Sequence, residues 1–160
     1  MALAMPMALA AILVLAAMPA VAAPAPAVRG GGVVDGPLGV TSQLGFTASS
    51  NGGSFLCVMA GRSGGFPFGP WQSIQQMHVQ GRVTPGSLSI TGGVATFSGT
   101  ATIHVVGTTA SGRLAMTLSD IPFVSTQAAG GGGIAWHRLQ VLGVGVFEGQ
   151  MKTGHITIWP

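Results

Sequence analysis

Charge is what this chain has least of. Six cations and three acids stand among its 160 residues, so charged side chains make up 6% of the sequence, against about 25% in an ordinary soluble domain. Three carboxylates leave little from which to build an acid–base pair. Asp35 falls in a Pro/Gly-rich N-terminal stretch, and nothing in the spacing of Asp120 and Glu148 brings those two together. A glycosidase-type pair of carboxylates is therefore not expected. The cations Arg29, Arg62, Arg82, Arg113, Arg138 and Lys152 are scattered one at a time, whereas nucleic-acid binders gather them on one face or element. The net charge of +3 supports at most a weak attraction to an anionic surface. Cysteine occurs once, at Cys57. No intramolecular disulfide forms, the fold must rest on its core, and this thiol is expected to act as a buried small hydrophobe. Tyrosine is absent. A transmembrane β-barrel needs an apolar outer band between aromatic girdles, and a chain without tyrosine whose strands show a Thr/Ser/Gln face does not supply one.

The first 28 residues carry no charged side chain at all. Within them, residues 7–18 form an apolar run closed by Pro19. A helix of that length reaches about 18 Å, short of a hydrocarbon core of about 30 Å. The run therefore reads as the apolar region of a signal peptide rather than a membrane span. Small residues at Ala20 and Ala22 mark the cleavage site and leave Ala23 as the new N-terminus. The expected organisation is a signal peptide over 1–22, a flexible Pro/Gly-rich leader over 23–36, and a single all-β domain over 37–160. Removing 22 of 160 residues leaves about 138, enough to bury one core without staples. The protein is expected outside the cytoplasm: secreted, periplasmic or at the cell envelope.

Polarity comes from Gly, Ser, Thr and Gln instead of from charge, and it alternates with apolar residues. Over residues 95–106, Ala95, Phe97, Gly99, Ala101, Ile103 and Val105 share one parity, and Thr96, Ser98, Thr100, Thr102 and His104 the other. Period-two alternation puts the first set on a core and the second in water. Shorter strands are expected over 40–47, 54–60, 77–83, 88–91, 113–119, 134–142, 144–152 and 155–159. Gly92-Gly93 reads as a hairpin turn, and Gly143 and Thr153-Gly154 as tight connections. Residues 127–133, ending in four glycines, read as a loop. Eight or nine strands with short links make an antiparallel meander, either a closed barrel or a β-sandwich.

From Gly53 onward the layout resembles small exported bacterial Gly/Thr-rich β domains of uncharacterised function. The resemblance is carried by Gly53-Ser54-Phe55, by the Gly-Gly-Val-Ala-Thr-Phe-Ser-Gly-Thr-Ala-Thr of residues 92–102, and by the Gly-His-Ile-Thr-Ile of 154–158. Asp120, in Leu-Ser-Asp-Ile-Pro-Phe, matches the Asp-containing turn of such domains, while their second acidic residue is missing here. The resemblance implies an antiparallel β domain outside the cytoplasm and carries over no activity and no site.

Catalytic and cofactor motifs are sparse. No Gly-x-Ser-x-Gly elbow is present, and the glycine runs follow neither nucleotide-binding pattern. No cofactor is expected. Of the four histidines, no two stand at metal-ligand spacing. The one conceivable zinc set by ligand type, His78, His104 and His155 with Glu148, would need a sheet to gather it, and isolated histidines are the expectation. The most distinctive segment is residues 65–71, Gly-Phe-Pro-Phe-Gly-Pro-Trp. It holds Phe66, Phe68 and Trp71, three of the chain's seven Phe and three Trp, with Pro67 and Pro70 limiting its freedom. Two readings stand side by side: a recognition loop for a ligand or partner, or a loop that folds back to plug one end of the core. The function expected is that of a non-catalytic exported β domain, a structural or interaction module at the envelope or outside it. The alternative is a β-barrel carrier holding a small apolar ligand in its interior.

Overall fold

The computed structural model describes residues 25–36, 39–61, 66–68 and 71–160, with 66–68 described by backbone alone. The expected signal peptide over 1–22 lies outside the described residues. The strands are β1 (Ala27–Asp35), β2 (Val40–Ser49), β3 (Gly52–Gly61), β4 (Phe66–Phe68), β5 (Trp71–Val83), β6 (Ser89–Thr91), β7 (Val94–Thr109), β8 (Gly112–Ala128), β9 (Gly130–Gly131), β10 (Trp136–Val141) and β11 (Gly145–Trp159). Antiparallel pairing runs β1-β2-β3-β5-β7-β8-β10-β11, and β11 pairs back onto β1. The result is a closed eight-strand barrel of up-and-down order. Short strands hang on its rims: β4 beside β5, β6 beside β7, and β9 beside β11. The meander expected from the sequence thus closes as the barrel, not the sandwich.

Alternation decides which way each residue faces. Along β7, Ala95, Phe97, Ala101, Ile103 and Val105 are buried inside, while Thr100 and His104 are exposed outside. An eight-strand barrel is just wide enough for side chains to fill. Its centre here is a cluster of four rings: Phe55 lies 5.2 Å from Phe123 and 6.3 Å from Phe97, and Phe46 lies 5.7 Å from Phe97, centroid to centroid. Met59, Met77, Leu139, Met151 and Ile156 pack around it without solvent contact. Fully burying a side chain of this size stabilises by roughly 1.5–3 kcal/mol. Cys57 is wholly buried among them, as expected, and burial pushes its thiol up to about 12. The outer wall is mostly Thr, Ser, Gln and single charges, with Leu56, Val124 and Val146 exposed among them.

Three expectations are corrected. The leader over 23–36 was expected to be flexible, but residues 27–35 form β1, a full barrel strand between β2 and β11, with Val28 and Val34 buried. Its glycine run is there for closeness, not freedom: a Cβ on Gly30 would stand 2.8 Å from Phe46 Cζ and 2.9 Å from Ile156 Cγ1. Thr153-Gly154 was expected to separate two strands. Instead β11 runs through it, with a register shift against β1 at Val33/Val34 that absorbs one extra residue. Lastly, the 127–133 loop begins inside β8, where Gln127 is buried, and its glycines fold as β9 against β11. That turn is tied down by Gly133 N–H donating to Met151 O at 2.7 Å and Ala135 N–H donating to Gly131 O at 2.9 Å.

Candidate functional site

The outer wall of the barrel dips where β3, β5, β7 and β8 run side by side. Register sets the residues in rows across these strands. Ser54, Arg82 and Thr100 stand abreast in one row, Leu56, Gln80 and Thr102 in the next, and Val58, His78, His104 and Thr117 in the third. All share the outward parity. A depression of about 630 Å³ lies over the first two rows, lined by Ser54, Leu56, Gln80, Arg82, Thr100, Thr102 and Asp120, with Gly53, Phe55, Gly81 and Ala101 between them. On the inner side of the same wall, Gly99 lets β5 and β7 approach, since a Cβ there would run into the carbonyl oxygen of Arg82.

Asp120 enters the depression by way of a bulge. Ala101 pairs with Ile121 and Ile103 with Leu118, so Ser119 and Asp120 together face the single residue Thr102. Asp120 adopts φ 57°, the only positive φ outside glycine among the described residues. Aspartate tolerates this region better than most residues, and bulges of this kind re-aim a side chain beside a site. The bulge is written in the sequence as a parity shift that the sequence reading did not use. The apolar parity of β8 falls on even numbers at Leu114, Met116 and Leu118, where the strand outruns the barrel and Leu114 and Met116 stay exposed, then on odd numbers at Ile121 and the buried Phe123. Arg82 and Asp120 line the same depression with no ion pair between them; the ion pairs described are Arg138–Glu148 at 3.4 Å and Lys152–Asp35 at 3.2 Å. The site therefore offers one free charge of each sign, two hydroxyls on β7, an amide, and the half-exposed side chain of Leu56. These are groups that hold a polar partner in place.

The histidines of the conceivable zinc set are only partly gathered. His78 and His104 sit side by side, ring centroids 6.2 Å apart, and His104 Nδ1 is 2.9 Å from Thr117 Oγ1. His155 lies on β11 opposite Gly31 and Gly131, and Glu148 faces Arg138 across β10 and β11. Among the described residues, no three His, Cys, Asp or Glu side chains gather as a metal group. Of the aromatic segment, Trp71 is 7% exposed and packs toward the inner face beside Gly107, where the plugging alternative would put it. Phe66 and Phe68 pair by backbone with Ile74 and Trp71; their side chains lie outside the described residues.

Polar side chains also lie inside the barrel: Ser42 bonds the buried Cys57, and Ser125, Gln127 and His137 form a cluster. Gln127 Nε2 lies 2.7 Å from Ser125 Oγ and 2.8 Å from His137 Nδ1, all three residues being buried. Gln127 Oε1 and His137 Nε2 have no partner. Burial lowers the imidazole pKa from 6.5 to about 4, so the ring is neutral at ordinary pH. The alternation His137, Leu139, Val141 marked this histidine as inward, a signal the sequence reading passed over. No family model, curated protein or solved structure matches the chain.

Proposed function

We propose that the protein is an exported, non-catalytic β-barrel domain that acts as an interaction module at the cell envelope or outside it, holding its partner on the outer wall. The observation that carries this reading is where the space lies. The barrel centre is packed with rings and methionines, while the depression of about 630 Å³ opens outward and is lined by Arg82, Asp120, Gln80, Thr100 and Thr102. Export rests on the apolar run of 7–18 and the Ala20/Ala22 site in the sequence. Polar side chains around Leu56, the exposed apolar side chain of the lining, suit a hydroxyl- or amide-rich partner such as an envelope glycan or an extended peptide. The test is binding of Arg82→Ala, Gln80→Ala and Leu56→Asp variants to envelope preparations, read beside thermal melts. Loss of binding with melting temperature kept is expected. Binding by all three variants at the wild-type level would overturn the assignment of the surface.

A second reading, a carrier with its ligand inside, is favoured by one observation: two polar atoms, Gln127 Oε1 and His137 Nε2, buried without partners. Solvent extraction of the purified protein followed by mass spectrometry separates the two. A small molecule recovered at one per chain would replace the module reading with the carrier.

A further inference from the structure

A closed barrel removes its edges, but one hairpin here outruns its neighbours and restores one. Residues 112–121 of β8 bond to β7 on one side and to no described strand on the other, because β10 meets β8 only over residues 123–128. Eight of these ten residues are exposed and the other two are half-buried. The face continuous with the barrel interior carries Leu114, Met116 and Leu118, opposite Gly107, Val105 and Ile103 of β7. Leu114 and Met116 are each 40% exposed. Arg113 stands at one end of the edge and Asp120 at the other. An exposed apolar edge with no lysine on it is a template for another strand.

We propose that this edge pairs with the same edge of a second copy, forming a two-fold dimer through an antiparallel β8–β8 ladder. Self-complementarity singles out that partner. Residues facing each other across an antiparallel ladder share one face, and a ladder centred on Met116 sets Met116 against its own counterpart and Leu114 against the second copy's Leu118. It also carries each Arg113 toward the second copy's Asp120. Parallel pairing would set Arg113 beside Arg113 and Asp120 beside Asp120. The ladder is bounded at one end by the 110–111 turn and at the other by the Ser119-Asp120 bulge and Pro122, which has no N–H to give. A two-fold contact of this kind uses both edges and stops, so it closes as a dimer instead of growing as a fibre.

Sedimentation equilibrium of the purified protein is expected to return twice the chain mass. Met116→Lys and Met116→Glu each put like charges face to face across the two-fold axis and are expected to give the monomer. The two variants mixed in equal amounts are expected to restore the dimer, because opposite charges then face each other. A wild-type protein of monomer mass overturns the proposal, as does a Met116→Lys variant that stays dimeric with its dissociation constant unchanged. Should either variant fail to fold, Arg113→Asp at the exposed tip takes their place. It creates two like-charge pairs per dimer and is expected to raise the dissociation constant about tenfold, and an unchanged constant overturns the proposal.

Discussion

His137 is an ionisable ring set among apolar side chains. Its ring stacks 6.0 Å from Phe55, centroid to centroid, and burial holds its pKa near 4 instead of 6.5. The unfolded chain takes up a proton at this residue near pH 6.5 and the folded chain only near pH 4. Protonation therefore favours unfolding in between. The stability tied to the neutral ring is complete above pH 6.5, falls as the pH drops toward 4 and levels off below. The whole shift corresponds to roughly 3 kcal/mol. Thermal melts across that window are expected to fall steeply for the wild type, and His137→Gln, which keeps a polar partner for Gln127 but cannot titrate, is expected to flatten the slope. An equal slope in the variant would place the acid sensitivity elsewhere. Glycine gives a second test at this scale. A methyl group on Gly99 would meet the Arg82 carbonyl oxygen, while one on Gly45 would meet nothing within 4 Å. Gly99→Ala is expected to cost about 3 kcal/mol, at the upper end of overpacking. Gly45→Ala is expected to be neutral or to stabilise by up to about 1 kcal/mol, by narrowing the unfolded ensemble. Denaturant midpoints of the two variants decide it, and equal losses would refute the contrast.

At the scale of the strand, β7 carries the test. Ile103 is fully buried inside the barrel, and its near neighbour Thr100 faces out beside Arg82. Ile103→Asp buries an unpaired carboxylate and is expected to abolish cooperative unfolding, since that cost of several kcal/mol rivals the stability of a whole domain. Thr100→Asp gains a cation across the ladder and is expected to shift stability by under about 0.5 kcal/mol. A melt that loses both variants alike would mean that the outer wall is covered. The alternation that makes this prediction was legible in the sequence, and so were the meander and most turns, because one face of most strands is wet and the other dry. What was not legible has one cause in each case. β1 hid behind its glycines, since a run chosen for close packing against Phe46 and Ile156 looks the same as a run chosen for flexibility. The second half of β8 hid behind a bulge, whose parity shift between Leu118 and Ile121 breaks the period that marks a strand. The outer depression hid because it depends on register: Arg82, Thr100 and Asp120 come from three strands, and no spacing along the chain announces which rows align. Phe66, Phe68 and Trp71, by contrast, drew notice by density, which reports composition and not exposure, and Trp71 proved to be buried.

At the scale of the molecule, the barrel is sealed by its two ends. β1 and β11 pair over nearly the whole of β1, from Ala27 opposite Trp159 to Asp35 opposite Gln150. The Arg29 guanidinium stands 4.9 Å from the Trp159 ring centroid across the seam. Every other ladder of the ring joins strands that follow one another closely in sequence, so this is the one pairing that must wait for the whole chain. Closing a loop of that length is the main entropic cost the topology imposes. The seam also brings the termini of the barrel side by side, since paired residues in an antiparallel ladder lie about 5 Å apart at Cα. A permuted chain in which a short Gly/Ser linker joins residue 159 to residue 27, with new ends opened in the Ser50-Asn51 turn, keeps every ladder of the barrel. It trades one long closure for another, because β2 and β3 now stand at opposite ends of the chain, and it is therefore expected to refold at about the rate of the parent and to melt within a few degrees of it. Deleting residues 154–160 is expected instead to destroy the barrel. It removes the buried Ile156, strips Val28 of its cover and leaves most of β1 as an open edge, so no cooperative transition is expected. The decisive measurement is the refolding rate of the permutant in stopped flow. A rate differing from that of the parent by more than about tenfold would mean that the particular β1–β11 contacts, and not the length of chain to be closed, set the speed of folding.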